Sequence, residues 1–414
     1  MAMSSGSGEH VSGTSPSGRA QRFVPGKGLH TEAARVSRLT WLREVTGTAL
    51  GTLQHTRLDP EQLSGNIEGL VGSVEIPVGV AGPLLFDGPV VRGEIYAPLA
   101  TTEGALVASA TRGALALTLS GGVSTRTAFQ AITRAPVFVF SRLAGASRFA
   151  AAVPQHLGEL REKVREISRH AELLSIEPVL LGRTVHLRFR YTTGEAAGQN
   201  MTTVGTWHAC QWLMGQRRLV AEEDFESFII EGNSSGDKKA SAQAVAEGRG
   251  TRVVADCVLP TEVVERVLKT TPDALVSGHQ HIMAGAVHSG TLGSNANTAN
   301  IVAAVFTATG QDIACTHESS VGHFTLERTK DGVHACITLP GLTLGTVGGG
   351  TGLPTQNEFL AMMGCTGQGG SQRLAEIIAG FALALDLSTV SAVVSGDFVD
   401  AHERLGRNRP PSSD

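Results

Sequence analysis

Glycine placement constrains this chain more than any other feature of its sequence. Of the 414 residues 50 are glycine, and many stand in short clusters inside otherwise apolar sequence. Such clusters mark backbone that turns sharply or approaches a ligand closely, because glycine tolerates left-handed φ and carries no Cβ. Three matter most: residues 194–201 (Gly-Glu-Ala-Ala-Gly-Gln-Asn-Met), 232–239 (Gly-Asn-Ser-Ser-Gly-Asp-Lys-Lys) and 345–351 (Gly-Thr-Val-Gly-Gly-Gly-Thr). The first falls between an expected strand and an expected helix, where dinucleotides often bind. It lacks Gly-x-Gly-x-x-Gly spacing, so a Rossmann unit is excluded. The third could cradle a phosphate with backbone amides, but on its own it reads first as a structural turn. Two lysines on a loop, as in the second, read on their own as solvated surface.

Composition narrows the class. Hydrophobic residues at 41% and charged residues at 17% fit a globular protein. A net charge of -4 gives no basic field for nucleic acid or an anionic membrane. The cysteines Cys210, Cys257, Cys315, Cys336 and Cys365 are odd in number with no Cys-x-x-Cys pair, which argues against a disulfide framework and a metal site. No apolar stretch approaches the roughly 18 residues of a membrane span. The nearest, residues 377–385, is interrupted by Gly380. The first residues lack a signal-peptide layout, so a cytoplasmic location is expected. Residues 1–28 are Ser- and Gly-rich and are expected to be disordered; residues 406–414, with Pro410 and Pro411, are expected to form a flexible tail.

Between these ends, residues 31–62 suit short helices and residues 76–83 a strand with turns. Thr102 is placed to cap a helix over residues 105–120, with Glu103 in its first turn and Gly121-Gly122 at its end. Its many small residues suggest a central helix. Residues 136–228 read as a separate β-α-β-α-β unit: strands at 137–140 and 184–191 and ending near 230, helices at 154–169 and 200–220. Later come helices at 261–270, 295–309 and 371–401 and a strand at 333–338.

Taken together and in order, residues 76–84, 101–112, 194–201, 232–239, 310–312 and 345–351 resemble the 3-hydroxy-3-methylglutaryl-CoA reductase family. The class I form is closer than class II, and the resemblance runs over about residues 30–405. It implies an α+β fold: a large substrate (CoA) domain around a central helix, with a small ferredoxin-like nucleotide-binding domain inserted. The implied boundaries are 29–65 for a helical N-terminal region, 66–135 with 229–405 for the large domain, and 136–228 for the NADP-binding domain. The implied reaction is four-electron reduction of the methylglutaryl thioester by NADPH to mevalonate and CoA, through a hemithioacetal and an aldehyde. The implied assembly is a homodimer or homotetramer with shared sites, the lysine loop of one subunit meeting the glutamate and aspartate of its neighbour. No membrane span or nucleic-acid partner is implied.

Residue by residue, the resemblance assigns catalysis to Glu103, Lys238, Asp312 and His402. Lys238 meets charge developing on the carbonyl oxygen. His402 protonates the departing thiolate. Glu103 or Lys238 protonates the alkoxide of the aldehyde step. A first-turn position stabilises a carboxylate anion, which opposes proton donation by Glu103; a second carboxylate, Asp312, would offset this. Arg134, Asn233, Asp237, Lys239, His281 and Asn300 match contacts to the acyl group, and Ser109, Arg112 and Lys269 match contacts to CoA. Ser168 and Arg169 match the 2'-phosphate pair, which favours NADPH, while Gly194, Glu195, Gly198, Asn200, Met201, Gly348 and Gly349 match the rest of the cofactor site. No metal is implied.

Departures from the family pattern are specific. Gly69 stands for Asn, Glu195 for Asp, Glu231 for Ser and Asn297 for the histidine near CoA. The active-site lysine expected near residue 281 is replaced by His281, or by His279. Gln-Asn-Val after Gly-Gln-Asp has become Cys315-Thr316-His317 when aligned on that motif. These changes keep open a reductase of a different acyl thioester, on CoA or a carrier protein. A non-catalytic acyl-CoA- or nucleotide-binding module and a hydrolase using Cys315 and His317 are the readings of other classes.

Overall fold

The computed structural model describes residues 23–216, 218–219 and 224–396. It divides into two compact units, one reaching Glu75 and the other beginning at Ile76. In the first unit, α1 (Glu32–Thr46) starts where Thr31 accepts a hydrogen bond from the Ala34 amide and stops at left-handed Gly47. Two buried arginines on this helix gather the surrounding loops. Arg38 donates to the carbonyls of Pro25, Gly26, Leu29 and Leu70, and Arg35 to those of Leu53 and Val71. Backbone carbonyls thus join buried Ala34 and Leu39 in holding this helix face. Pro25 and Gly26 belong to the 1–28 segment expected to be disordered, and Arg38 fixes them in place.

The second unit opens with the hairpin β1 (Val78–Asp87) and β2 (Arg92–Ala100), then α2 (Leu106–Leu119), β3 (Ser124–Arg134) and β4 (Val137–Phe140). There follow α3 (Leu143–Ala152), α4 (Leu157–Arg165), β5 (Glu172–Leu181), β6 (Thr184–Thr192), α5 (Gln199–Gly215) and β7 (Phe225–Ile229). The remainder is α6 (Ala242–Glu247), β8 (Gly250–Pro260), α7 (Thr261–Val267), α8 (Pro272–His288), α9 (Thr298–Thr309), α10 (Thr316–Ser319), β9 (His323–Arg328), β10 (Gly332–Leu342), α11 (Pro354–Met362) and α12 (Gly370–Ser395).

One hydrophobic core surrounds α12, whose side chains are buried on every face from Leu374 to Ala392. The sequence reading made the 105–120 helix central; α12 holds that place instead. α2 exposes Leu115 and Leu119 and lays its small-residue face on α12. At the crossing, a Cβ on Gly113 would stand 1.8 Å from the Ala384 carbonyl oxygen, so only glycine fits. By length and composition α12 passes the test for a membrane span, contrary to the sequence expectation, with 83% of its most apolar window buried inside the protein. The start of α2 also differs from expectation. The N-cap is Ala105 at φ 69, and no acidic residue lies in the first turn. Glu103 therefore precedes the helix, where the dipole has largely faded.

A second core lies among α3, α4, α5 and the strands β4, β5 and β6, with Phe138, Phe140, Phe149, Phe189 and Tyr191 fully buried. Its strands run β7-β4-β6-β5, all antiparallel, in the element order β-α-β-β-α-β once α3 and α4 are taken as one helical layer. The expected β-α-β-α-β unit lacked β5. Pro178 lies within β5; among the described residues β5 pairs only with β6, and an edge strand tolerates proline. The two sheets join at β3. Its last residues, Ile132 to Arg134, pair with β6, while Ser124 to Ala131 pair with β8. Arg134 thus sits at the junction of the two cores.

Candidate active site

Two of the four expected catalytic residues meet directly. The Lys238 ammonium stands 2.9 Å from an Asp312 carboxylate oxygen. Lys238 occupies the loop before α6 with a left-handed φ of 56, and its side chain is partly exposed. Asp312 follows α9, which left-handed Gly310 terminates; its other oxygen accepts the Ala314 amide and caps a short 3-10 turn. The hydrogen bond from Lys238 to Asp312 holds the ammonium above its ordinary pKa, so it stays cationic through neutral pH. Glu103 lies elsewhere: its carboxylate accepts from the Asn300 amide at 3.2 Å. Asn300 is in the first turn of α9 and Asp312 lies beyond its last. At 1.5 Å per residue Asn300 is about 14 Å along the axis from Thr309, the last residue of α9. His402 lies outside the described residues.

Arg134 anchors an ion-pair chain beneath this pair. Its guanidinium is buried, with Nη1 at 3.0 Å from Asp237 and 3.8 Å from Glu231, and Nη2 donating to the Gln199 carbonyl at 2.8 Å. Asp237 also pairs with Arg249 at 2.7 Å, and Arg249 with buried Glu318 at 2.7 Å. Burial pushes the Asp237 carboxyl up, but Arg249 and Arg134 outweigh it and hold it below its ordinary value. Burial pushes Glu318 up despite Arg249. Lys239 donates to the Asp237 carbonyl, and the Asn233 amide donates to Glu231.

The two glycine loops expected at the cofactor meet each other. A Cβ on Gly345 would stand 2.4 Å from the Ala197 nitrogen, so the residue there has to be glycine. The Thr346 amide donates to the Glu195 carbonyl at 2.7 Å. The Glu195 carboxylate accepts the Gly369 and Ser371 amides at 2.6 and 2.7 Å, capping α12. Its carboxylate oxygens are thus engaged in holding the start of α12 beside the expected cofactor loop. Gln311, adjacent to Asp312, exchanges two hydrogen bonds with the Gly345 backbone. Gln199, at the start of α5, donates to the Cys315 sulfur. Sequence reasoning singled out neither glutamine, nor Arg249 or Glu318, although Gln311 stood inside the Gly-Gln-Asp motif.

Ser168 donates to the Met201 sulfur at 2.9 Å, which brings the loop carrying exposed Arg169 against the first turn of α5, where Gly198 and Asn200 also lie. Gly194, Gly348 and Gly349 are exposed at left-handed φ. Other expected contacts are less direct. Ser109 and Arg112 both bond Ser388 of α12, so they hold the fold together. Lys269 is exposed just beyond α7. Asp386 accepts the Ala296 and Asn297 amides and fixes the start of α9; burial pushes its carboxyl up to about 6. His279 is a core histidine on the Phe324 carbonyl, and burial holds it below its ordinary value. His281 is exposed on α8, and among the described residues no hydrogen bond joins it to the Lys238 cluster. Cys315 is buried, and burial pushes its thiol well up, which removes the thiolate a hydrolase would need.

Comparisons with known proteins show the family. A family model described as hydroxymethylglutaryl-coenzyme A reductase matches residues 34–407. A 3-hydroxy-3-methylglutaryl-coenzyme A reductase of Aeropyrum pernix is 44% identical over 388 residues, covering 92% of this chain and 91% of its own. That of Pyrococcus abyssi is 41% identical over 401 residues, covering 94% of this chain and 96% of its own. Among solved structures, the class II enzyme of Streptococcus pneumoniae bound to NADPH gives a TM-score of 0.65 at 18% identity, over 87% of this chain and 97% of that one, a likeness of fold. This chain belongs to the hydroxymethylglutaryl-coenzyme A reductase family.

Proposed function

We propose that the chain reduces 3-hydroxy-3-methylglutaryl-CoA to mevalonate and CoA with NADPH. The observation that carries this reading is the Lys238–Asp312 pair, set beside the Arg134 chain and tied through Gln311 to the glycine loops. An oxyanion forming on the thioester carbonyl needs a fixed cation, and Lys238 is held charged by Asp312. Arg134 orients the acyl carboxylate, with Asn233, Asp237 and Lys239 around it, and Asn300 contributes from beside Glu103. Glu103 or Lys238 supplies the proton of the aldehyde step, and His402 the proton of the thiolate. The test is acyl-CoA-dependent oxidation of NADPH across a panel of thioesters, with mevalonate identified by mass. Oxidation with every thioester except methylglutaryl-CoA would transfer the reading to another acyl group.

The β-α-β-β-α-β unit supports a ferredoxin-like nucleotide domain over residues 136–228, inserted between the two parts of a substrate domain at 66–135 and 229–405. Identities of 41–44% with the archaeal relatives, against 18% with the class II structure, support the class I assignment. The donor set suits a nucleotide phosphate: exposed Arg169 beside Ser168, and the first-turn amides of α5, whose N-cap Gly198 offers no side-chain cap. Ser168, Arg169, Gly194, Gly198, Asn200 and Met201 would hold NADPH, with Gly348 and Gly349 facing it from the second loop. When bound, NADPH supplies the hydride. Arg169→Ala is expected to weaken NADPH about tenfold or more, the value of one lost charge-assisted hydrogen bond, while NADH changes little. Michaelis constants for the two nucleotides check this; equal losses would make Arg169 structural.

A further inference from the structure

We propose that Glu231 is a specificity-determining carboxylate: it occupies Arg134 as an internal counter-ion, and a carboxylate-bearing acyl chain has to displace it. This rests on the reading of Arg134 as the ligand of the acyl carboxylate. The run Glu231–Arg134–Asp237–Arg249–Glu318 contains two guanidinium groups and three carboxylates, so it already has one anion in excess. Both carboxylates at Arg134 address the same nitrogen, Nη1, but they are held differently. Asp237 is close, at 3.0 Å, and its other oxygen is fixed by buried Arg249. Removing it would leave a second guanidinium without its partner.

Glu231 stands at 3.8 Å with its side chain 38% exposed, and among the described residues its other oxygen accepts only the Asn233 amide at 2.8 Å, in a turn at left-handed φ. It can therefore swing toward water and leave the rest of the chain intact. Arg134 Nε, buried and without a hydrogen-bond partner among the described residues, is a further donor on the same guanidinium. An uncharged acyl chain makes no demand on Arg134 and leaves Glu231 in place. A charged one meets either the like charge of Glu231 or the cost of moving it. Glu231 thereby lowers the preference of this site for anionic acyl groups.

Calorimetric binding of glutaryl-CoA and pentanoyl-CoA, which have equal chain length and differ in terminal charge, tests this without requiring turnover. Glu231→Gln is expected to tighten glutaryl-CoA about fivefold relative to pentanoyl-CoA, the upper range for a partly exposed ion pair. Glu231→Ser should act in the same direction, and a thermal melt of each variant reports on folding. Arg134→Lys is the control for the underlying reading and should weaken glutaryl-CoA selectively. An unchanged or reduced ratio in both Glu231 variants, with Arg134→Lys behaving as expected, overturns the role of Glu231 alone. An Arg134→Lys protein that does not discriminate between the two thioesters overturns the Arg134 reading and this inference with it.

Discussion

Replacing Lys238 with alanine is expected to cut turnover by roughly 100- to 1000-fold, the loss typical of one oxyanion-stabilising donor. Stability should change little. The side chain is 43% exposed and Asp312, its ion-pair partner, is 42% exposed, so removing the pair costs at most about 1 kcal/mol. NADPH affinity should also persist, because the proposed nucleotide contacts come from the loop after α4 and the start of α5. Steady-state rates at saturating substrate, with a thermal melt and a nucleotide titration on the same protein, check all three points. More than about a tenth of wild-type activity would exclude an electrostatic role for Lys238.

The second large effect is restoration of activity between two dead chains. A carbonyl group needs its acid and its oxyanion donor within about 3 Å, yet within one chain Glu103 and the Lys238–Asp312 pair belong to opposite ends of α9. A dimer in which Glu103 of one subunit meets Lys238 and Asp312 of the other satisfies both. The sequence expectation set Lys238 against the aspartate of the neighbour; within one chain Lys238 already pairs with Asp312, so the half-sites are drawn here as Glu103 and Lys238–Asp312. Mixed and exchanged Glu103→Gln and Lys238→Ala chains should therefore recover part of the wild-type rate. Asp312→Asn mixed with Lys238→Ala should recover none, because the two lesions fall on the same half-site. Recovery in the second mixture, or its absence from the first despite proven subunit exchange, would contradict the arrangement.

The sequence carried the motifs of this site more clearly than their connections. Strands at 137–140 and 184–192 and the helix α4 were readable because their alternation and amphipathic pattern are local. The α2 start was misread because Thr102 looks like a cap. The chain instead takes a left-handed turn at Ala105, a conformation a non-glycine residue rarely adopts. α8 went unread although Thr271 caps it and Pro272 opens it, signals hidden by its many small and polar residues. The coupling residues were beyond reach for another reason. Gln311 finds Gly345 only once the 310–312 turn and the 345–351 loop are packed together. Arg249 finds Asp237 and Glu318 only once β8, its flanking loop and α10 converge. Glu195 looked like a cofactor residue from its loop, but its carboxylate is the cap of a helix that begins 175 residues later, at Gly370.

The reaction proposed for this site is a four-electron reduction of a CoA thioester at Lys238 and its partners. The most direct measurement follows NADPH oxidation and thiol release together with purified protein and limiting 3-hydroxy-3-methylglutaryl-CoA. The account predicts two NADPH consumed for each CoA released, mevalonate as the product, and loss of both signals in Lys238→Ala. CoA release without NADPH oxidation would identify a hydrolase, and one NADPH per CoA with an accumulating aldehyde would contradict the complete reduction proposed for this site.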